Sequence, residues 1–484
     1  MPALACTDHG NMYGTLEFYK ACQAEGVKPI IGIEAYQARN SVDERPKSKK
    51  KNAQQQDADF GGEDAKGSKL YHHLTVLAEN NVGYQNLIHL SSRSFLEGFY
   101  HKPRIDWDIL SDHAEGIIAT SGCLGGIVLQ ELLHDDFDAS LEAASRFQEI
   151  LGPDNFFIEL QDHDIPEQIR TNPQLIEISK RIDAPLVATN DLHYVDHSDC
   201  QSHDALLCVQ TKAKIADKDR FKFHGQDFYL KQPQEMRHLF RDHPEACDNT
   251  LLIAERCNVE IELDRDLLPK FEVPDGHTEM SYLRELVSEG MMQRWPNITD
   301  ETVSRIEYEL EVIEQMGFPG YFLIVWDLVR HAKTTGIRVG PARGSAGGSA
   351  VAYALRIVDV DPMRWGLLFE RFLNPSRITM PDIDLDFDTR YKEHMLNYCI
   401  DKYGDSRTAQ IVTFAEIKPR SAVRDAARVL GMPYKIGDAI SKALPSPIFG
   451  RDTPLEQAIQ EHEPIMDLAK NVEYREVLDI ALGL

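Results

Sequence analysis

Residues 381–388 read PDIDLDFD, four aspartates at every second position with apolar side chains between them. On an extended strand Asp382, Asp384 and Asp386 share one side, while Ile383, Leu385 and Phe387 share the other. Bare carboxylates a few ångströms apart repel, and one of a pair would ordinarily hold a proton. A divalent cation removes that penalty. Mg²⁺ takes one or two protein carboxylates and completes its shell with phosphate oxygens. Two such ions about 3.5–4 Å apart can clamp the attacking and leaving oxygens of a phosphoryl transfer. The plainer alternative is an edge strand with a solvated acidic face, although aspartate is a poor strand former and several in register need a reason.

About forty residues earlier stands GPARGSAGGS, 340–349, between a strand-like GIRV at 336–339 and a helix through AVAYAL at 350–355. Free backbone N–H groups and the helix dipole at such a junction attract phosphate. The glycines let the backbone approach an anion, Ser345 can donate a hydrogen bond, and Arg343 supplies fixed positive charge. The Gly-Lys-Ser/Thr ending of a P-loop is absent. A turn demanded by backbone geometry alone is the alternative. Net charge −26, from 52 basic and 78 acidic residues, argues against nucleic acid as a partner. Locally the sign reverses. From 331 to 377 seven basic residues (Lys333, Arg338, Arg343, Arg356, Arg364, Arg371, Arg377) face three acids, a balance of +4 just before the aspartates.

These residues need a scaffold, and 484 residues suffice for two to four domains. With 42% hydrophobic and 27% charged residues, the composition is that of a globular protein. Residues 1–250 alternate apolar runs with helical patterns. The runs at 29–36, 74–78, 116–120, 155–160 and 185–190 read as buried parallel strands, which suggests an α/β barrel or layered sheet. Residues 40–69 are almost devoid of apolar side chains and read as a mobile surface loop. The texture turns helical from about 250 to 335, and again, moderately basic, after 413. No apolar run approaches the roughly 20 residues of a membrane span, and the N-terminus shows no signal-peptide pattern. Eight scattered cysteines without a Cys-x-x-Cys pair fit a reducing cytoplasm.

GFPGYFLIV at 317–325, VGPARGSAGGS at 339–349, LFERFLNP at 368–375 and MPDIDLDF at 380–387 together resemble the palm of bacterial C-family DNA polymerases, and the resemblance runs over essentially the whole chain. It implies a polymerase-beta-like nucleotidyltransferase palm over 251–413 and a helical thumb over 414–484. Carried over by motif, Asp382 and Asp384 are catalytic aspartates that hold two Mg²⁺ ions, with Asp386 a further candidate ligand. Arg343, Gly344 and Ser345, with Arg371 alongside, bind the triphosphate of an incoming dNTP. Ala342 stands where the family usually has glycine. Lys418, Arg420 and Arg424 are candidate contacts to duplex phosphates, with a solvated helix face as the alternative.

The first half, 1–250, resembles a PHP domain, a distorted α/β barrel that binds a metal cluster. His9 in TDHGN, Glu34 in GIEAY, His73 in YHHLT, Cys123 in TSGC, and Asp191 and His193 in TNDLHY match its ligands. Each is expected at or just beyond a strand end, the rim where α/β barrels gather catalytic groups. Imidazole, carboxylate and thiolate together suit Zn²⁺, Mn²⁺ or iron better than Mg²⁺. In relatives with every ligand this domain is a 3′–5′ proofreading exonuclease; in others it is a structural support. The family's opening His-x-His strand with its following aspartate, and its third palm aspartate, have no counterpart here. The sequence therefore reads as a fragment that is not expected to polymerise alone. The resemblance implies a cytoplasmic parent enzyme acting on primer-template DNA and dNTPs, with a sliding clamp and other holoenzyme subunits as partners and no membrane. Two competing readings stay open: a PHP metal-dependent phosphoesterase or exonuclease independent of the aspartates, and a non-catalytic scaffold.

Overall fold

A computed structural model describes residues 1–46, 69–263, 269–374, 380–448 and 451–484. They form two compact units, one of residues 1–261 with 415–484 and one of residues 262–414. Most of the expected surface loop at 40–69, and Arg377, lie outside the described residues.

In the first unit one mixed sheet is built from β1 (Ala3–Cys6), β2 (Lys28–Gln37), β3 (His72–Ala78), β4 (Arg104–Ile105), β5 (Ile117–Thr120), β6 (Phe156–Leu160) and β7 (Leu186–Ala188). The order is β1-β2-β3-β5-β6-β7, with β4 added beside β2. Helices α1 (Thr15–Glu25), α2 (Asn81–Leu96), α3 (Trp107–Asp112), α4 (Ile127–Leu133), α5 (Phe137–Leu151) and α6 (Pro166–Ile182) fall between the strands. Helices α7 (Cys200–Thr211), α8 (Pro233–Leu239) and α9 (Pro244–Arg256) follow them. The β1–β2, β5–β6 and β6–β7 pairs are parallel. β3 corrects the all-parallel expectation, because it runs antiparallel to both β2 and β5. β1 was not among the expected strands, since four residues of small apolar character carry little pattern.

Alternation along the strands positions the site. Ile31, Ile33 and Ala35 of β2, Leu74 and Val76 of β3, Ala119 of β5 and Ile158 of β6 turn to the helices and form the main core with Leu87, Leu90 and Phe147. The opposite face carries Ile30, Leu77, Ile118, Phe157 and Val187, packed with Ile253 and Ala254 of α9. A period of two then puts Glu34, His73, Thr120 and Glu159 on that second face, beyond its apolar part.

The second unit contains α10 (Glu279–Arg294), α11 (Asp300–Gln315), α12 (Pro319–Thr334), α13 (Ala350–Ala354), α14 (Pro362–Trp365) and α15 (Lys392–Tyr403). Its core gathers Leu283, Val287, Leu310, Ile313, Phe322 and Leu323 around the buried α13. A Cβ on Gly290 would lie 2.2 Å from the Ala354 carbonyl oxygen, so α10 and α13 cross at a distance only glycine permits. Two buried carboxylates pin the helices. Asp327 on α12 accepts from Tyr398 Oη at 2.6 Å and Tyr403 Oη at 3.1 Å on α15, and from Arg330 at 3.0 Å. Glu309 on α11, with 0% of its surface exposed, accepts from Ser349 Oγ at 2.8 Å and from the Ala350 and Val351 amides, each at 3.0 Å. Arg305 Nε completes the shell of Glu309 at 2.7 Å.

PDIDLDFD does not enter a ladder. Among the described residues of this unit one isolated bridge forms, Val339 with Phe387, so the expected strand over 381–387 and the strand-like run at 336–339 reduce to that single pairing. Without a second edge beside it, a run of aspartates has little to hold it in a sheet. The alternation survives all the same: Asp382, Asp384 and Asp386 are exposed, while Ile383 and Leu385 pack on the core.

Residues 415–484, expected as a separate thumb, group with the first unit. Helices α16 (Pro419–Val429), α17 (Tyr434–Ala443), α18 (Leu455–Glu461), α19 (Glu463–Leu468) and α20 (Val472–Leu482) pack around Val423, Ile440 and Val477. Val429 joins Ala205 and Cys208 of α7.

Burial opposes ionisation of Asp327, but hydrogen bonds from Tyr398, Arg330 and Tyr403 outweigh it and hold the carboxyl below its ordinary 3.8. A depressed carboxyl contributes stability that is fully present above the unfolded value and is lost as pH falls from there through the lower folded value. Asp327→Asn is therefore expected to cost about 1.5–3 kcal/mol in urea unfolding at pH 7. Its deficit relative to the parent chain should shrink below about pH 4. An equal deficit at pH 7 and pH 3 would contradict the assignment.

Candidate metal centre and acidic run

In the first unit the six residues singled out by motif converge. Glu34 stands on β2 opposite Thr75, and His73, the second residue of β3, stands opposite Tyr36, so the two are diagonal neighbours two residues out of direct opposition. His9 arrives from the turn after β1, Cys123 from the turn after β5, and Asp191 and His193 from the turn after β7. His73 Nδ1 lies 2.6 Å from Glu34 Oε1, and His9 Nε2 lies 3.4 Å from Glu34 Oε2. Ligand atoms of His9, Glu34 and His73 all fall within 4.8 Å of one another. Cys123 Sγ is 3.7 Å from His73 Nδ1 and 3.9 Å from Glu34 Oε1. The rings of His9 and His193 stand 5.9 Å apart. Asp191 holds a left-handed φ of 45°, backbone strain of the kind that gathers at functional sites.

Proton positions follow from these contacts. His193 Nδ1 is 2.6 Å from the Asp191 carbonyl oxygen. A carbonyl only accepts, so Nδ1 carries the proton and Nε2 keeps its lone pair for a ligand. Burial opposes a charge on Glu34, but His9 and His73 outweigh it and keep the carboxylate ionised. Burial, with Glu34 and Asp191 nearby, pushes the Cys123 thiol well above its ordinary value. Burial also raises Asp191, against the pull of His193. Crowded carboxylates and a thiol, with no Lys or Arg bonded to them among the described residues, are the electrostatics of a site that a divalent ion completes. His, Glu, Asp and Cys donors fit Zn²⁺ or Mn²⁺. The cluster opens on a cavity of about 790 Å³ whose walls include Glu34, Cys123, Glu159, Asp191, His193 and Lys231.

In the second unit the glycine-rich turn and the acidic run lie side by side. The Gly340 amide donates to the Asp386 carbonyl at 2.8 Å, and the Asp388 amide donates to the Arg338 carbonyl at 3.1 Å. Gly344 has φ 67°, and a Cβ there would come within 3.1 Å of Asp384 Oδ2. The Tyr321 hydroxyl accepts the Ile383 amide at 3.2 Å, between Asp382 and Asp384. Arg343 Nη1 pairs with Asp386 Oδ1 at 3.0 Å, both largely exposed. Asp388 turns away, capping the 3-10 turn Thr389–Tyr391 and pairing with Arg390 at 2.6 Å. Ser345 lies in the 3-10 turn Gly344–Gly348, and Arg371 ends a second turn, Phe369–Arg371. The two turns touch where a Cβ on Gly348 would meet the Leu368 carbonyl at 2.5 Å. The helix after the turn does not offer its N-terminus to a phosphate as expected, because Glu309 and Ser349 already occupy the α13 amides. Any anion must use the turn itself.

Comparison with known proteins bears on both sites. A family model described as PHP domain matches residues 1–163, and one described as Bacterial DNA polymerase III alpha NTPase domain matches residues 281–484. The chain is 48% identical over 462 residues to the DNA polymerase III subunit alpha of Mycobacterium tuberculosis, covering 94% of this chain and 39% of that protein. It is 41% identical over 544 residues to the protein of that name in Thermus aquaticus, covering 100% of this chain and 43% of the relative. For Aquifex aeolicus the figures are 40% over 502 residues, 99% and 42%.

The chain belongs to the DNA polymerase III alpha subunit family. It spans about two-fifths of the length of these curated relatives. Within this family member the structure gives two candidate DNA contacts other tasks. Arg420 donates to the Ser441, Leu444 and Pro445 carbonyls at 2.6, 3.1 and 3.0 Å, closing the end of α17. Arg424 pairs with Asp438 at 3.3 Å, and Lys418 stays exposed ahead of α16. Glu159, in IELQDH at 158–163, went unread although it shares the PHP cavity; its signal was a lone acid in an apolar strand. Lys231 went unread too.

Mn²⁺ or Zn²⁺ titration should give saturable binding and raise the melting temperature, with about 2.7 kcal/mol of stabilisation at a hundredfold excess over Kd. His73→Ala should abolish both. Because Cys123 holds its proton without metal, binding at pH 7 should release protons and tighten as pH rises. Equal calorimetric heats in buffers of different ionisation enthalpy would contradict thiolate ligation.

Proposed function

We propose that this chain is the PHP and palm-side part of a replicative DNA polymerase. The parent enzyme joins a primer 3′-hydroxyl to the α-phosphorus of a dNTP and releases pyrophosphate. The observation that supports the palm reading best is the abutment of Gly344 on Asp384, which brings an anion-binding turn against carboxylates able to hold cations. Asp382 and Asp384, with Asp386 beside them, would hold Mg²⁺, which when bound neutralises triphosphate charge and activates the attacking oxygen. Gly344 and Ser345, at the start of the 3-10 turn, present amides without an acceptor inside that turn. Arg343 has to exchange Asp386 for a phosphate, at small cost, because an exposed ion pair contributes only about 0–1 kcal/mol. Arg371 adds positive charge on the neighbouring turn. Primer-template DNA, dNTPs, a sliding clamp and holoenzyme subunits belong to the parent enzyme, whose setting is the cytoplasm.

On the palm reading, the chain is expected to bind a dNTP in the presence of Mg²⁺. Titration with a fluorescent dNTP in Mg²⁺ should show binding weakened at least about tenfold (about 1.4 kcal/mol) by Asp384→Asn. Unchanged binding in that variant would overturn the palm reading.

A second reading, favoured by the cavity beside the His9–Glu34–His73 cluster, is a metal-dependent phosphoesterase or 3′–5′ exonuclease. It requires Mn²⁺-dependent hydrolysis of a single-stranded 3′ end that His193→Ala removes and Asp384→Ala leaves intact. No hydrolysis above the His193→Ala background would leave the PHP domain a structural metal module.

A further inference from the structure

Cys123 and the Asp191–His193 pair reach the candidate metal centre from the ends of β5 and β7, which do not pair with each other but both pair with β6. The Glu159 side chain ties those two ends together. It stands on β6, between β5 and β7, and only 5% of its surface is exposed. One carboxylate oxygen accepts the hydroxyl of Thr120, the last residue of β5. The other accepts the hydroxyl of Thr189, just past β7, at 2.5 Å, and the Gln161 side-chain amide at 2.9 Å. The backbone amide of Glu159 donates to Ser121 Oγ at 2.9 Å, a second tie to the turn that leads to Cys123. Cys123 lies three positions after Thr120, and Asp191 two positions after Thr189.

We propose that Glu159 is a positioning residue which clamps the C-terminal ends of β5 and β7 and so sets the spacing of Cys123 from Asp191 and His193 for metal binding. This rests on the reading of the cluster as a metal centre. A buried carboxylate with no cation in its shell is costly unless hydrogen bonds satisfy it. Two hydroxyls and an amide do so here, and both hydroxyls are anchored on strand ends that carry ligands. Removing the carboxylate would release both turns at once. Outer-shell partners of metal ligands are commonly worth about 10- to 100-fold in affinity.

The test measures Mn²⁺ affinity of the full chain by electron paramagnetic resonance of free Mn²⁺, beside its metal-free melting temperature. Glu159→Gln should weaken Mn²⁺ binding by about 10-fold or more. Thr189→Val, which removes one hydroxyl at nearly constant shape, should weaken it in the same direction, and Thr189→Ser should restore it. Wild-type-like affinity in both Glu159→Gln and Thr189→Val would overturn the proposal, as would a lowered metal-free melting temperature with unchanged affinity. Absence of saturable Mn²⁺ binding in the unsubstituted chain would instead overturn the metal-centre reading on which the proposal stands.

Discussion

A carboxylate held out of water needs positive charge or hydrogen-bond donors around it, and the first unit is organised about one that has both. Glu34 sits with 7% of its surface exposed, flanked by His9 and His73. Burial alone would neutralise it; the two imidazoles keep it charged. The same arrangement packs a thiol and a second carboxylate nearby, where neither can ionise freely. A divalent ion resolves that conflict, and the parity of the strands explains why the groups meet. One face of the sheet is spent on the helix core, the other on α9 at one end and the polar cluster at the other.

The second unit handles charge in another way. Glu309 is fully buried, yet its partners are backbone amides, a hydroxyl and Arg305, all internal. It occupies the helix terminus that a phosphate would otherwise use, and in doing so it fixes where the glycine-rich turn ends. The turn stays free to face Asp384, and the exposed Arg343–Asp386 pair is loose enough to open. Rigid capping behind an adaptable loop is a workable arrangement for a nucleotide that must arrive and leave.

Much of this was legible in the sequence for reasons that can be named. Strands β2, β3, β5, β6 and β7 announce themselves as apolar runs, and the six cluster residues stand in recognisable motifs. The direction of β3 was not legible, because an apolar run looks the same whether its neighbours run parallel or antiparallel to it. Nor was the loss of a ladder at 381–387: alternation sets which face a side chain takes, but pairing requires a neighbour. Arg420 read as a free cation because helix-end carbonyls leave no mark on the sequence. Glu159 stayed hidden because its importance lies in hydroxyls on two other strands.

The central claim, that His9, Glu34, His73, Cys123, Asp191 and His193 form one metal centre, is most directly tested by anomalous scattering from crystals soaked in Mn²⁺. A peak within about 2.0–2.3 Å of donor atoms from His9, Glu34 or His193 is the predicted result. A well-ordered cluster with no peak among those six side chains, at a Mn²⁺ concentration that saturates binding in solution, would contradict it.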